Sequence, residues 1–157
     1  MGKNTGKNPT DRGKLGTKRS VLTDARGVPL GVTVSGANTH DIKLLKATFD
    51  SVPIRRPQPT TRRQNVCLDK GYDSKDVRKF LRRRHYTPHV KSRSKEVEQK
   101  KNNPRFKARR WVVERTHSWI NRFRRLLVRW EKKSENYLAM LHFSFAYTAL
   151  RNAKVLG

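Results

Sequence analysis

The stretch Asn65-Val66-Cys67-Leu68-Asp69-Lys70-Gly71-Tyr72 decides how the rest of the chain is interpreted. Its first four residues form a short apolar run, which is typical of a buried strand because buried helices are longer. Cys67 is then a small buried hydrophobic residue. Asp69 follows at the carboxyl end of the strand, where α/β sheets gather their ligand-binding groups. Gly71 lets the chain turn away without a side chain that crowds this site.

Patterns on both sides of this stretch predict a layered α/β domain with a sheet of about four strands. Alternating segments rich in β-branched residues indicate a hairpin, and apolar positions at helical spacing indicate four helices. The domain is predicted over residues 17–157, and residues 1–16 are predicted to be a flexible basic arm. The elements are a hairpin over 18–23 and 28–35, a strand over 86–90, and helices over 40–49, 74–84, 105–129 and 134–153.

Local signals fix several ends of these elements. Asn38 or Thr39 is expected to cap the first helix, and Asp73 or Ser74 the second. Pro88 marks the strand that contains it as an edge strand. Asp24 reads as a turn residue within the hairpin, and His40-Asp41 as part of a helix cap more than as catalytic groups. A zinc pair of His85 and His89 would need a helix, which Pro88 between them disfavours.

Charge is the strongest compositional signal. The chain has 38 Lys and Arg residues against 12 Asp and Glu, a formal net charge of +26. Such a chain repels itself, so a polyanion is its natural partner, with nucleic acid favoured over an anionic membrane surface. The stretch Leu138–Leu150 is too short to span a bilayer, and the single cysteine excludes an internal disulfide. We therefore expect a cytoplasmic, nucleoid-associated protein that is not inserted in a membrane.

Asp69 and Glu114 are the candidate catalytic acids. Asp69 either holds Mg²⁺, which prefers oxygen ligands, or only caps the turn into the next helix. On a helical wheel Glu114 lies opposite the apolar face and shares its side with Arg110, His117 and Asn121. It is either part of a site or one half of an ordinary surface pair with Arg110. The residues predicted to form the apolar core face of this helix are Val112, Val113, Trp119, Ile120, Phe123, Leu126, Leu127 and Trp130.

Five blocks, in this order, resemble the insertion-sequence transposases of the DDE type. Each block is a weak motif alone, whereas the five in sequence are highly specific, and they cover nearly the whole chain. The blocks are Thr5 to Lys14, Asp24 to Leu30, Ala37 to Asp41, Leu68 to Asp73, and Arg110 to Arg115 with its continuation to Leu126.

The resemblance implies an RNase H-like mixed sheet with flanking helices and a DDE triad that binds two Mg²⁺ ions. Asp69 matches the second acid and Glu114 the third, and both would be metal ligands. Arg110 matches the arginine four residues before the glutamate. The family has a tyrosine and a lysine where this chain has Lys107 and Asn121, and Arg122 offers a nearby cation in place of that lysine. The DNA-binding residues expected in this region are Lys107, Arg109, Arg115, Arg124 and Arg125.

The first acid of the triad has no match in this chain, because the family places it on a strand before the block that begins at Thr5. We expect the sheet to lack its first strand, and an upstream reading frame to supply the acid. The resemblance further implies DNA ends and target DNA as partners, and a homo-oligomer in the synaptic complex. The alternative is a non-catalytic basic DNA-binding fragment, a regulator or remnant of a transposase, with an RNA-binding protein as a third option.

Overall fold

Five strands and five α-helices have both ends within the described residues, 3–90, 101–102 and 111–155 of a computed structural model. They belong to two units, which we call the hairpin unit, Met1–Pro53 with Val112–Gly157, and the strand–helix unit, Ile54–Trp111. The mixed α/β class predicted from the sequence is confirmed. The strands lie in one three-stranded and one two-stranded sheet. The single four-stranded sheet was therefore a wrong prediction, because the strands Gln64–Leu68 and Tyr86–Val90 hydrogen-bond only to each other among the described strands.

The sheet of the hairpin unit is antiparallel, in the order β1-β2-β3. Its central strand pairs on both sides, with Gly6 opposite Gly16 and Thr17 opposite Gly36. Two stretches of the predicted flexible arm are therefore strand residues, because their backbone groups are hydrogen-bonded in this sheet. The strands are β1, Gly6–Lys7; β2, Leu15–Thr23; and β3, Pro29–Gly36.

The turn between β2 and β3 is built by Asp24. Its Oδ1 accepts hydrogen bonds from the backbone N–H groups of Arg26 and Val28, each at 2.8 Å. Gly27 follows with a φ of +83°, a conformation that side chains rarely adopt. The prediction of a hairpin with a turn at Asp24 is confirmed.

The helices of the hairpin unit are α1, Asp41–Asp50; α3, Trp111–Asn121; α4, Arg124–Leu127; and α5, Ser134–Asn152. His40, not Asn38 or Thr39, caps α1, and its Nδ1 accepts from the Ile42 N–H at 3.3 Å. The helix cap predicted for the His40-Asp41 pair is thereby confirmed. Helix α5 ends one residue before its predicted end.

The long helix predicted over 105–129 is interrupted after Asn121. Residues 103–110 lie outside the described residues, and Phe123 has extended backbone angles, φ −79° and ψ 99°. The helical wheel therefore fails beyond the break, where the apolar positions no longer face one side. Leu127 is 60% exposed and Trp130 is 74% exposed, so both were wrongly predicted to be core residues.

The core of the hairpin unit lies where α5 and the α3–α4 segment pack on the sheet. Ile120 and Leu141 have no exposed surface, and Leu126 is almost fully buried. Val21 and Val34 of the sheet and Phe123 add partly buried surface around them. The buried cluster consists of Val32, Ile120, Leu126, Tyr137, Leu141 and Phe145.

The strand–helix unit contains a parallel β–α–β motif. Its elements are β4, Gln64–Leu68; a 3₁₀ turn, Lys70–Tyr72; α2, Lys75–Arg83; and β5, Tyr86–Val90. Ser74 caps α2 by accepting the Val77 N–H at 3.1 Å, as predicted. The predicted burial of Cys67 is wrong. The strand alternates, so Val66 is buried at 7% exposure while Cys67, its neighbour, is exposed.

We expect Leu141→Ala to lower the free energy of unfolding by about 3 kcal/mol, because it removes a fully buried side chain from the core. The matched change Leu127→Ala, at an exposed leucine of α4, should alter it by less than about 0.5 kcal/mol. Urea unfolding of the three proteins measures both effects. Equal losses in the two variants would contradict the packing described for α5.

Candidate functional site

Asp69 lies directly after β4, at the carboxyl end of the strand, as the sequence predicted. It is exposed, and its Oδ1 accepts the N–H of Lys70 at 2.8 Å. Asp69 thus caps the 3₁₀ turn, which is one of the two predicted alternatives. A carboxylate offers about four acceptor sites, so this cap leaves a ligand role compatible with the geometry.

Gly71 does not play the part predicted for it. Its φ is not positive, and a Cβ added there would meet no atom within 4 Å. A Cβ at this position would therefore not crowd Asp69. The turn away from the strand depends instead on the Asp69 cap and on the backbone bond from the Tyr72 N–H to the Asp69 carbonyl, 3.0 Å.

Glu114 is exposed in the first turn of α3, and the opposite side of this helix is buried through Val112, Thr116 and Ile120. The predicted separation of Glu114 from the core face is therefore confirmed. The predicted partner Arg110 lies outside the described residues, as do Lys107 and Arg109.

The hairpin turn holds the middle of α3 in place. Thr116 Oγ1 is buried and donates to the Gly27 carbonyl at 2.7 Å. Arg115 donates through Nη2 to the Arg26 carbonyl and lies over the Trp119 ring at 4.8 Å. These contacts fix the helix that carries Glu114, and sequence reasoning missed them. The sequence indicated a turn over Asp24–Gly27, but nothing in the sequence indicated that this turn contacts α3.

Asn121 stabilises the other end of α3. Its Oδ1 accepts a hydrogen bond from Nη2 of Arg19 at 2.7 Å, and Nη1 of Arg19 donates to the Leu126 carbonyl at 3.3 Å. Asn121, predicted to support the site, thus anchors the helix end to β2. His117 lies on the same helix, and burial, together with the Arg19 charge, lowers its pKa below the ordinary value of 6.5.

The predicted DNA-binding arginines differ in their surroundings. Arg122 and Arg124 are exposed. Arg125 lies 3.1 Å from Oε1 of Glu131, a carboxylate whose side chain is almost fully buried. Arg115 is engaged with the hairpin turn as described above. The DNA-binding role predicted for these arginines stays a prediction.

Asp69 and Glu114 belong to different units, the strand–helix unit and the hairpin unit. The prediction that they act together stays a prediction. Within the described residues, no group of three or more His, Cys, Asp and Glu side chains is placed to hold a metal ion. His85 and His89 do not share a helix, because His89 is a residue of strand β5 and His85 directly precedes this strand. His89 Nε2 lies 2.9 Å from Asn65 Oδ1.

Comparison with known proteins gives one family and two relatives. The family model described as a transposase DDE domain matches residues 2–149. A protein described as a transposase for insertion sequence element IS402 of Burkholderia cepacia is 41% identical over 140 residues, 87% of this chain. The transposase for insertion sequence element IS1106 of Neisseria meningitidis serogroup B is 30% identical over 114 residues, 69% of this chain.

The aligned regions span 64% and 37% of the lengths of these two relatives. No solved structure matches the chain. None of the helices in the described ranges has the length and apolar character needed to cross a membrane.

The lowered pKa of His117 predicts a pH dependence of stability. The unfolded chain binds a proton more readily than the folded one. His117 therefore makes its full contribution to the free energy of unfolding above pH 6.5. This contribution falls as the pH drops through 6.5 toward the lower folded-state pKa. His117→Gln should flatten this part of the curve. Urea unfolding across this pH range measures the slope, and an identical slope in the parent and His117→Gln would contradict the assignment.

Proposed function

The chain belongs to the transposase DDE-domain family, and we propose that it carries two of the three acids with which an insertion-sequence transposase cleaves DNA and transfers the strand. The observation that carries the proposal is the position of Asp69. It is an exposed carboxylate at the carboxyl end of a parallel strand, within the region that the family model matches. Glu114 is the other acid that this chain would supply, exposed on a helix whose middle is fixed by the hairpin turn.

The donor atoms of this pair suit a divalent metal ion. Mg²⁺ is a hard cation that takes oxygen ligands, and both residues present carboxylate oxygens at the surface of their units. Asp69 and Glu114 would be its ligands from this chain. When bound, a pair of such ions activates a water molecule or a DNA 3′-OH and stabilises the leaving oxygen.

Neighbouring groups would keep the acids in position. The Lys70 N–H holds one oxygen of Asp69, and the contact between Thr116 and Gly27 holds the turn of helix next to Glu114. Arg122, exposed just after α3, would balance carboxylate charge or contact a phosphate. Arg110 would act in the same way, as the family motif implies. Preorganised groups of this kind lower the barrier because they need not rearrange during the reaction.

The remaining basic residues would bind the DNA backbone. With 38 Lys and Arg residues, the chain can neutralise many phosphates, and such contacts position the duplex without reading its sequence. We assign Lys107, Arg109, Arg115, Arg124 and Arg125 to this role, in which Arg115 and Arg125 would keep the contacts described above while they approach the DNA backbone.

The complete enzyme would contain more than this chain. The aligned region spans only 64% of the length of the IS402 relative. We place the first acid of the triad in an upstream segment, with the completed sheet RNase H-like. The working form would be a homo-oligomer that holds the transposon ends and target DNA in the cytoplasm, at the nucleoid.

The acids can be tested in the protein that joins this chain to its upstream segment. Asp69→Asn and Glu114→Gln should each reduce strand transfer at least about a hundredfold, because metal ligation is lost while fold and charge surface are kept. Binding to end DNA should change little. Asp76→Asn, at an exposed acid in the first turn of α2, is the matched control and should retain activity.

Full strand transfer in both acid variants would contradict the assignment. If the joined protein binds duplex DNA but never cleaves it with Mg²⁺, the chain is the non-catalytic DNA-binding alternative.

DNA binding by the chain itself should depend steeply on salt, since counterions are released as phosphates are neutralised. Arg124→Gln should reduce the slope of log affinity against log salt by about 0.9, the value for one phosphate contact. Arg124→Lys keeps the charge and should keep the slope. Fluorescence anisotropy with a labelled duplex measures these slopes. Salt-insensitive binding would contradict the proposed contacts with the DNA backbone. A clear preference for RNA would favour the RNA-binding option.

A further inference from the structure

Helix α5 has apolar residues on two opposite sides. One side, with Tyr137, Leu141 and Phe145, is buried in the core of the hairpin unit. The other side is exposed, and its largest residue, Phe143, is 67% exposed. We call this side the outer stripe; it consists of Ala139, Phe143, Ala146 and Leu150.

The spacing within the outer stripe is regular. Successive members are separated by four, three and four residues, which is the a/d spacing of helices that pair. At about 100° per residue they fall within an arc of about 60°, directly opposite the buried side. No charged side chain interrupts the stripe. An exposed apolar row of this length on a chain so rich in charge points to a partner helix.

We propose that the outer stripe binds the outer stripe of a second copy of this chain, with the two helices antiparallel. The pattern is complementary to itself under a two-fold axis. When Phe143 of one copy faces Ala146 of the other, Ala139 faces Leu150. Each large side chain then meets a small one, and the helices approach closely without a cavity or an overlap. A parallel pair would place Phe143 against Phe143 and leave gaps at the alanines.

Charges at the two ends of the stripe favour the same orientation. Glu135 lies at the start of α5, whereas Arg151 and Lys154 lie at its end, and all three are exposed. An antiparallel pair brings the acid of one copy to the cations of the other and opposes the two helix dipoles. The present contact of Glu135 with Lys3, 3.7 Å between two exposed side chains, costs little to exchange.

The dimer is expected to be weak at low ionic strength. One helix pair buries less than the roughly 1,600 Å² of a standard interface, and two copies that each carry +26 repel one another. At about 1 M salt the Debye length shrinks to about 3 Å, which removes most of this repulsion. Self-association through the stripe should therefore strengthen as salt rises, opposite to DNA binding. The proposal goes beyond the homo-oligomer of the proposed function because it names the surface and the orientation, and it requires neither metal nor DNA.

Disulfide cross-linking tests both the surface and the orientation. In a Cys67→Ser background, which removes the exposed native thiol, Ala139→Cys and Leu150→Cys are made as separate proteins. Mixed and oxidised at high salt, they should form the mixed covalent dimer at least tenfold faster than either forms a dimer alone. Faster linkage within each single variant would mean a parallel pair and would overturn the proposal, as would equal linkage in all three samples.

Sedimentation equilibrium of the whole chain supplies the second measurement. The parent should show a monomer–dimer equilibrium at high salt, and Phe143→Gln should weaken it at least tenfold. Leu127→Gln changes a similarly exposed apolar residue outside the stripe and should leave the monomer–dimer equilibrium unchanged. Circular dichroism confirms that both variants fold. A parent chain that stays monomeric at every concentration, or a dimer that Phe143→Gln leaves intact, would show that the stripe does not bind a second copy.

Discussion

One guanidinium group, that of Arg129, joins the distant parts of the hairpin unit. It lies after α4, yet its partners include the residues before β1 and the first half of β2. The group also lies over the Tyr137 ring, 5.5 Å from its centroid. Hydrogen bonds to a charged donor are stronger than neutral ones, so five of them on one side chain fix three segments together. The acceptors are the carbonyls of Lys3, Asn4, Glu131 and Lys132 and the hydroxyl of Thr17.

Arg19 and Arg115 serve the same purpose elsewhere in this unit. Arg19 binds Asn121 and the Leu126 carbonyl, and Arg115 binds the Arg26 carbonyl. The basic composition of the chain therefore has a structural use besides the DNA binding proposed for it. Some arginines donate hydrogen bonds to carbonyl groups that irregular segments leave without a backbone partner. Packing of the small core alone does not satisfy these groups. Others, such as Arg122 and Arg124, face solvent and remain able to meet phosphate.

The sequence predicted the strand–helix unit well because its signals are local. Ser74 caps a helix within its own turn, and Pro88 disfavours any helix that would run through it. The break after Asn121 was not predictable in this way, since no proline or glycine marks it. It coincides with the hydrogen bonds from Arg19, which is 102 residues away along the chain. The errors at Leu127 and Trp130 follow from this one missed break. The error at Cys67 has another cause, because a two-stranded sheet buries only one of its faces.

The candidate site shows the same division between local and distant causes. Asp69 could be placed from its neighbours, because a carboxylate after a short strand needs only that strand. Glu114 could be placed on the exposed side of a helix. The contact that holds this helix could not be predicted from the sequence. That contact joins Thr116 to Gly27 across 89 residues. Glycine suits position 27 for two reasons. Its φ is positive, and an added Cβ would lie only 3.1 Å from Thr116 Oγ1. The hairpin turn is therefore part of the support for the helix that carries Glu114.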